Sequence, residues 1–201
     1  MRLILVRHGE SVGNYENRLQ GQEDYPLTEE GRRQAVLTSH RLLALGTSAV
    51  YSSHLMRARE TAVAIGERLG VEPAILEDLS EYHFGELSGM TYAEIRERFG
   101  AIANPAERTY PGEEGRDTFF KRVTTTLWGI AGSHPDETVA VVSHGGPIAL
   151  FCQAVLGLPY RRPMPFAISN CSLNIFEASI TSSDSRNAVL LHLNDVCHLA
   201  E

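Results

Sequence analysis

The sequence predicts an α/β fold in which a mainly parallel sheet is covered by helices on both faces, as a three-layer α/β/α sandwich. Short apolar runs with strand character alternate along the chain with longer segments whose apolar residues recur at helical spacing. The runs 3–6 and 139–142 are apolar at every position, which is typical of strands buried on both faces. No repeat or low-complexity tract divides the 201 residues, so one domain covering 1–201 is expected.

The first half of the chain predicts two β-loop-α units and a third strand. A short helix is predicted at 11–17. Thr28 is predicted to cap a longer helix, because its hydroxyl can accept a hydrogen bond from a backbone amide at the helix start, and Gly46 is predicted to end that helix. Further strands are predicted at 48–51 and 74–76, with a helix between them.

The second half predicts the rest of the sheet and an irregular excursion over its edge. Thr91 is predicted to cap a helix that ends near 99, and 101–115 contains two prolines and little periodicity. We expect a lid-like insertion at about 86–116. The remaining predicted elements are a helix at about 117–131, a strand at 139–142, a helix at 148–156 and strands at 173–176 and 189–193.

Composition and charge argue against several function classes. A net charge of -7 and a pI near 5.6 give no basic excess for nucleic acid or an anionic membrane, so neither partner is expected. The run 3–6 is too short for a signal peptide or a membrane span. Cys152, Cys171 and Cys197 have no zinc-ligand spacing, and their odd number indicates free thiols, so a cytoplasmic location is expected.

An arginine and a histidine directly follow the first predicted strand. Because ligands bind at the carboxyl ends of strands in open α/β sheets, Arg7 and His8 are predicted to face a ligand. A guanidinium is a fixed fork of donors for phosphate, and an imidazole can act as base or nucleophile near neutral pH. Gly9 then allows the backbone to approach the ligand closely.

A second histidine occupies the same kind of position. His144 follows the strand 139–142, as His8 follows the strand 3–6. If the two strands are parallel neighbours, their histidines face one another across a bound phosphate. A matched pair at two strand ends predicts a phosphate site better than either histidine does by itself.

The segments around both histidines resemble the histidine phosphatase superfamily, which includes the cofactor-dependent phosphoglycerate mutases. The resemblance covers residues 2 to about 177 and implies a phosphoglycerate mutase-like fold in which His8 is phosphorylated during turnover. The motifs that carry it are Arg-His-Gly-Glu at 7–10, Ser-Ser-x-x-x-Arg-Ala-x-Glu-Thr-Ala at 52–62, Leu-x-Glu-x-x-Phe-Gly-x-x-x-Gly at 79–89 and His-Gly at 144–145.

The resemblance also implies roles for an arginine and a glutamate. Aligning the segment 52–62 assigns Arg59 to phosphate and leaves Arg57 as a neighbour or a surface charge. Glu81 matches the glutamate that protonates the leaving oxygen, whereas Glu86 and Glu77 fall outside the matching position. The catalytic set predicted in this way is His8, Glu81, Arg7, Arg59 and His144.

Residues that contact the substrate are implied by shorter matches. The candidates are Asn14, Ser11, Gln20, Gly21 and Gly145. No metal or other cofactor is expected, because arginines and histidines supply the charge that magnesium supplies in other phosphoryl-transfer enzymes.

Two differences from the mutases of the superfamily favour the phosphatase branch. Tyr82 stands where mutases often carry an arginine, and the segment 86–111 is short. Gly115 replaces a serine common in the family, which puts a substrate contact there in doubt. The expected partner is a small phosphorylated metabolite, such as phosphoglycerate, phosphoserine, a sugar phosphate or ribazole phosphate. Remaining cations that a lid could use are Arg108, Arg116, Lys121 and Arg122.

Three other hypotheses stay open at this point. A phosphoglycerate mutase is the main alternative, and an inactive binding module of the same fold is a second. A serine esterase is the third, because Gly9 to Gly13 fits the Gly-x-Ser-x-Gly elbow around Ser11, with Asp195 and His198 following in triad order. Homodimers are common in the family, but the sequence does not indicate which residues would form the interface.

Overall fold

A six-stranded sheet forms the centre of the protein in the computed structural model, which describes residues 1–100, 110–159, 165–180 and 185–200. The strand order is β3-β2-β4-β1-β5-β6. Strands β1 to β4 are parallel, and β5 and β6 continue the sheet in antiparallel pairing. The strands are β1 (Arg2–Arg7), β2 (Ala49–Ser52), β3 (Ala74–Ile75), β4 (Thr138–Ser143), β5 (Leu173–Ile180) and β6 (Arg186–Asp195).

Helices cover both faces of this sheet, which confirms the predicted three-layer α/β/α class. One apolar cluster joins one face to α5 and α6, and a second joins the other face to α2 and α3. The α-helices are α1 (Val12–Tyr15), α2 (Glu29–Ala44), α3 (Met56–Leu69), α4 (Tyr92–Phe99), α5 (Arg116–Ser133) and α6 (Gly145–Val155).

The core begins at β1 because its side chains alternate between the two clusters. Leu3 and Leu5 pack with α5 and α6, whereas Ile4 and Val6 pack with α2 and α3. All four side chains are at most 1% exposed. β1 therefore lies in the middle of the molecule.

The register of the sheet brings the two histidines together. β1 and β4 are parallel neighbours in which Arg7 pairs with Ser143, so His8 and His144 follow at the same level. This adjacency is the arrangement that the two strand-end histidines predicted.

Helix caps agree with the local sequence signals. Thr28 accepts a hydrogen bond from the amide of Gly31 at the start of α2, and Thr91 forms a capping box with Glu94 at the start of α4. Gly70 ends α3 in the left-handed conformation. α6 begins at Gly145, three residues before the predicted 148, and β5 continues to Ile180, four residues beyond the predicted 176.

The predicted lid-like segment is only partly described, because 101–109 lie outside the described residues. Within it, α4 packs through Ile95 against Leu87 and Tyr110. The boundaries of a single domain with a lid at about 86–116 stay a prediction. In the described part of the chain, no helix combines the length and the apolar character needed to cross a membrane.

Candidate active site

A cavity of about 570 Å³ opens at the carboxyl ends of β1 and β4. The part of its wall near the strand ends is polar, and the outer part combines apolar side chains with the charged residues Arg18, Arg96 and Glu113. The polar part includes Arg7, His8, Asn14, Gln20, Arg57 and Glu81, and the apolar side chains of the outer part include Leu19, Phe84, Leu87, Tyr92, Ile95 and Tyr110.

His8 sits at the inner end of this cavity and is 2% exposed. Its Nδ1 lies 2.7 Å from the carbonyl oxygen of Gly9, which can only accept, so Nδ1 carries the proton. Nε2 then has a free electron pair and accepts from Nε of Arg57 at 3.3 Å. The backbone therefore selects the tautomer whose Nε2 can attack an electrophile.

The charge state of His8 follows from its surroundings. Burial, followed by the nearby guanidinium groups of Arg57 and Arg7, lowers the pKa of His8 well below its usual value. Burial and the charge of Arg57 lower the pKa of His144 in the same way. Both imidazoles are therefore neutral at physiological pH.

The buried imidazoles make the stability of the fold depend on pH. Because their pKa values are lower in the folded protein, the unfolded chain binds more protons once the pH falls below about 6.5. We expect each histidine to remove up to about 1.4 kcal/mol of unfolding free energy per pH unit below that point. Urea unfolding between pH 7.5 and 5 measures the slope. His144→Gln should flatten it, and an unchanged slope would contradict the assignment.

Arg57, and not Arg59, is the arginine of α3 that reaches His8. Arg57 is 1% exposed and donates to the carbonyl oxygens of Gly21 and Glu23 at 2.7 and 2.8 Å. Burial lowers the pKa of Arg57 to about 10, so the guanidinium stays charged at neutral pH. Arg59 is exposed and lines a separate surface depression. The prediction for Arg59 is corrected, because residues two apart point to different sides of a helix.

Two buried nitrogen atoms beside His8 lack partners. Nη1 of Arg7 donates to the carbonyl oxygen of Ile168 at 2.6 Å, but its Nε has no hydrogen-bond partner among the described residues. Nε2 of His144 lies 2.9 Å from Oγ of Ser53, whereas its Nδ1 is likewise unpartnered. The His8 and His144 ring centroids are 5.1 Å apart. Unsatisfied buried polar atoms next to two arginines are typical of a site that binds an anion.

Glu81 also lies on the cavity wall. Its carboxylate accepts from the amides of Tyr82 at 2.8 Å and Gly146 at 3.0 Å. The alternatives are placed elsewhere, since Glu77 is exposed and Glu86 is exposed and pairs with Arg98. Glu81 is therefore the one of the three candidate glutamates that lines the cavity.

A glycine is needed where α6 passes Glu81. A Cβ atom on Gly146 would overlap Oε1 of Glu81. We expect Gly146→Ala to push the carboxylate aside and to lower kcat by about 100-fold, because small misplacements of reacting groups are that costly. Gly129→Ala, where a Cβ meets no atom within 4 Å, is the control. Steady-state kinetics with thermal melts would show whether activity falls without loss of fold, and equal activity of both variants would contradict the expectation.

Three of the five predicted substrate contacts line the cavity, namely Asn14, Gln20 and Gly21. Ser11 does not, because it is fully buried as the N-cap of α1 and its Oγ donates toward Asn14 and Gln20. At the start of α6, Gly146 rather than Gly145 is on the wall. The prediction for Ser11 is therefore corrected, whereas that for Gly145 stays a prediction, because a Cβ atom there would lie 3.9 Å from Nε of Arg7.

The esterase hypothesis fails on the same geometry. Oγ of Ser11 is held by Asn14 and Gln20, and His198 places its Nε2 3.0 Å from Oγ1 of Thr38. Asp195 accepts from the amide of Cys197. Ser11 therefore has neither the exposure nor the partner that a triad nucleophile needs.

Several residues support the site although the sequence assigns them no role. Thr61 accepts from the amide of Gly9 at 3.0 Å, and Asn170 donates to the carbonyl oxygen of His8 at 2.9 Å. Gly31 lies so close to Glu10 that a Cβ would overlap its carbonyl oxygen. Thr61 belongs to the motif at 52–62, but its local sequence does not indicate that its hydroxyl holds the loop after His8.

The basic residues predicted as possible lid cations do not line the cavity in the described part of the chain. Arg122 is mostly buried against Glu114, whereas Arg116 and Lys121 are exposed on α5. Arg108 lies outside the described residues. Over the described ranges, no group of three His, Cys, Asp or Glu side chains is arranged to hold a metal ion.

A neutral buried histidine, two guanidinium groups and a carboxyl at the strand ends of a three-layer α/β/α fold define a phosphate-handling enzyme. The chain belongs to the histidine phosphatase superfamily, branch 1, because the sequence profile of that family matches residues 3–194. This confirms the resemblance found in the motifs.

Relatives include phosphatases and a mutase-like protein. Phosphoserine phosphatase 1 of Hydrogenobacter thermophilus is 33% identical over 207 residues, covering 100% of this chain and 95% of that protein. Phosphoglycerate mutase-like protein 4 of Arabidopsis thaliana is 36% identical over 212 residues, covering 99% and 87%. The structure of a mycobacterial glucosyl-3-phosphoglycerate phosphatase in complex with VO3 has a TM-score of 0.86 and 32% identity, covering 96% and 98%.

Proposed function

We propose that this protein is a metal-independent phosphatase that hydrolyses small phosphomonoesters through a phosphohistidine on His8. The observation that carries the proposal is the neutral His8 on the cavity wall, with Arg57 at its Nε2 and with unpartnered buried nitrogens on Arg7 and His144. Such a site provides a nucleophile and preorganised hydrogen-bond donors for the three phosphoryl oxygens.

In the first step, Nε2 of His8 attacks phosphorus in line. A nitrogen–phosphorus bond forms as the bond from phosphorus to the alcohol oxygen breaks, and the carboxyl of Glu81 protonates that oxygen. Arg7, Arg57 and His144 stabilise the charge on the equatorial oxygens. Because the chain itself supplies these charges, we expect the reaction to need no metal.

In the second step, water replaces the alcohol. Glu81, now a carboxylate, takes a proton from water as the oxygen attacks phosphorus, and the nitrogen–phosphorus bond breaks to release inorganic phosphate. This returns His8 to the neutral form and Glu81 to the protonated form. The phosphohistidine is protected from other acceptors by the depth at which His8 lies.

Tyr82 is the residue that favours hydrolysis over a mutase reaction. Tyr82, at the position where mutases often have an arginine, is 1% exposed and packs against Phe84 and Phe119, so it offers no cation to a substrate carboxylate. The outer wall presents apolar side chains to the carbon part of a phosphomonoester, beside the charged residues Arg18, Arg96 and Glu113. The mutase reaction is the second candidate function, because one relative is a phosphoglycerate mutase-like protein.

The test follows phosphorus by NMR with purified protein in EDTA and 3-phosphoglycerate, with p-nitrophenyl phosphate assayed in parallel. We expect inorganic phosphate to accumulate in at least one assay. Accumulation of 2-phosphoglycerate would make the protein a mutase, and no reaction in either assay would favour an inactive binding module.

We also propose a cytoplasmic location, which the unpaired cysteines support. Cys152, Cys171 and Cys197 are all free, and burial raises the pKa of Cys152 and of Cys171 to about 12, so those two thiols are unreactive. Assembly as a homodimer stays a prediction. The physiological substrate is a small phosphorylated metabolite, and a panel of such esters would rank the candidates.

A further inference from the structure

One arginine outside the cavity holds the loop that carries Glu81. Arg122 of α5 donates from Nη1 to the carbonyl oxygens of Asp78 and Ser80, at 2.8 Å each. Its Nη2 donates to the carbonyl oxygen of Glu81 at 2.9 Å. A single guanidinium thus fixes the backbone at Glu81 and at two of the three residues before it.

Glu114 holds that guanidinium in place. Nε of Arg122 lies 2.8 Å from Oε2 of Glu114, and Nη2 lies 2.7 Å from Oε1, so the pair is bidentate. The two side chains are only 14% and 13% exposed. Oε1 of Glu114 also accepts from the amide of His83 at 2.9 Å, so the pair contacts the loop on both sides of Glu81.

The position of the Glu81 carboxylate depends on this backbone. Its two hydrogen bonds come from the amides of Tyr82, in the same loop, and Gly146, at the start of α6. A shift of the loop relative to α6 therefore breaks or bends one of these bonds and moves the carboxylate relative to His8. Arg122 and Glu114 themselves lie behind the loop and not on the cavity wall.

We propose that Arg122 and Glu114 are positioning residues that hold Glu81 where its carboxyl can protonate the leaving oxygen. The inference rests on the proposed function, in which Glu81 is the proton donor. It assigns the buried ion pair to catalysis through Glu81 and not only to the stability of α5.

A comparison of two leaving groups tests this role. Phenyl phosphate and p-nitrophenyl phosphate share a ring, but p-nitrophenolate is the more stable anion and needs the proton less. kcat/KM reports the step in which the alcohol leaves. We expect Arg122→Gln to lower kcat/KM for phenyl phosphate by about 100-fold and to affect p-nitrophenyl phosphate far less. Glu81→Gln should show the same pattern, and Lys121→Gln, which removes the adjacent exposed cation, should show no loss.

The outcomes separate the two proposals. If Glu81→Gln discriminates between the leaving groups and a folded Arg122→Gln loses equally on both, the positioning role is wrong while the phosphatase stands. If the wild-type protein hydrolyses neither ester, the proposed function itself fails. Should Arg122→Gln not fold, Glu114→Gln and Arg122→Lys carry the same comparison, since a lysine cannot reproduce the bidentate fork.

Discussion

Replacing His8 with alanine is expected to lower kcat/KM for phosphomonoesters on the order of 10⁶-fold, the scale seen when a covalent nucleophile is removed. The variant keeps Arg7, Arg57 and His144, which surround the phosphoryl group in the proposed complex. We therefore expect inorganic phosphate still to bind. Phosphate release measures the first effect, and the shift of the thermal midpoint by added phosphate measures the second.

His192→Ala is the matched control for His8→Ala, because His192 is exposed on β6. It should keep full activity. Substantial activity in a metal-free preparation of His8→Ala would show that the protein does not use His8 as its nucleophile. Loss of both activity and folding would call for His8→Asn, which replaces the imidazole with a smaller polar side chain.

Arg57→Gln is expected to lower kcat/KM by about 10²–10³-fold, the cost of removing one preorganised donor from a developing charge. The reason is its position, since Arg57 is buried and touches Nε2 of His8. Arg59→Gln removes the same charge from the same helix, but on its exposed face. It should change kcat/KM little.

The pair of variants distinguishes the structural assignment from the sequence alignment. Inhibition by inorganic phosphate should weaken in Arg57→Gln and stay constant in Arg59→Gln. A larger loss in Arg59→Gln would mean that the alignment identified the phosphate arginine correctly and that the observed geometry is not the catalytic one. Thermal melts are needed alongside, because Arg57 also holds the carbonyl oxygens of Gly21 and Glu23.

Much of the fold follows from local chemistry that the sequence displays. Buried strands read as continuous apolar runs, and Thr28, Thr91 and Gly70 mark helix ends by the hydrogen bonds and the backbone angle they allow. Placing a histidine after each of two such strands predicts their meeting correctly because β1 and β4 are parallel neighbours. The antiparallel pairing of β5 with β1 depends on long-range contacts that no local pattern records.

Helical periodicity distinguishes Arg57 from Arg59. The buried face of α3 contains Arg57, Ala58, Thr61, Ala62 and Ile65, so Arg57 is in phase with the apolar stripe. The family motif instead assigns Arg59, which is exposed. Helical phase is therefore the better guide to the arginine that faces the site.

The support of Glu81 is a different case. Glu114 and Arg122 are eight residues apart, one before the start of α5 and one within it. From the sequence, each is interpreted as an ordinary surface charge. Their burial and their bonds to the loop at 78–83 arise only when α5 packs beside that loop. No sequence pattern indicates such a pair in advance.

The most direct test of the central claim is to trap the phosphoenzyme. Protein mixed with p-nitrophenyl phosphate in EDTA is quenched in alkali within milliseconds, and its peptides are analysed by mass spectrometry. We predict a phosphoryl group on the peptide containing His8, absent from His8→Ala and decaying as inorganic phosphate appears. Rapid phosphate release by the wild-type protein with no phosphorylated His8 at any time point would contradict the account.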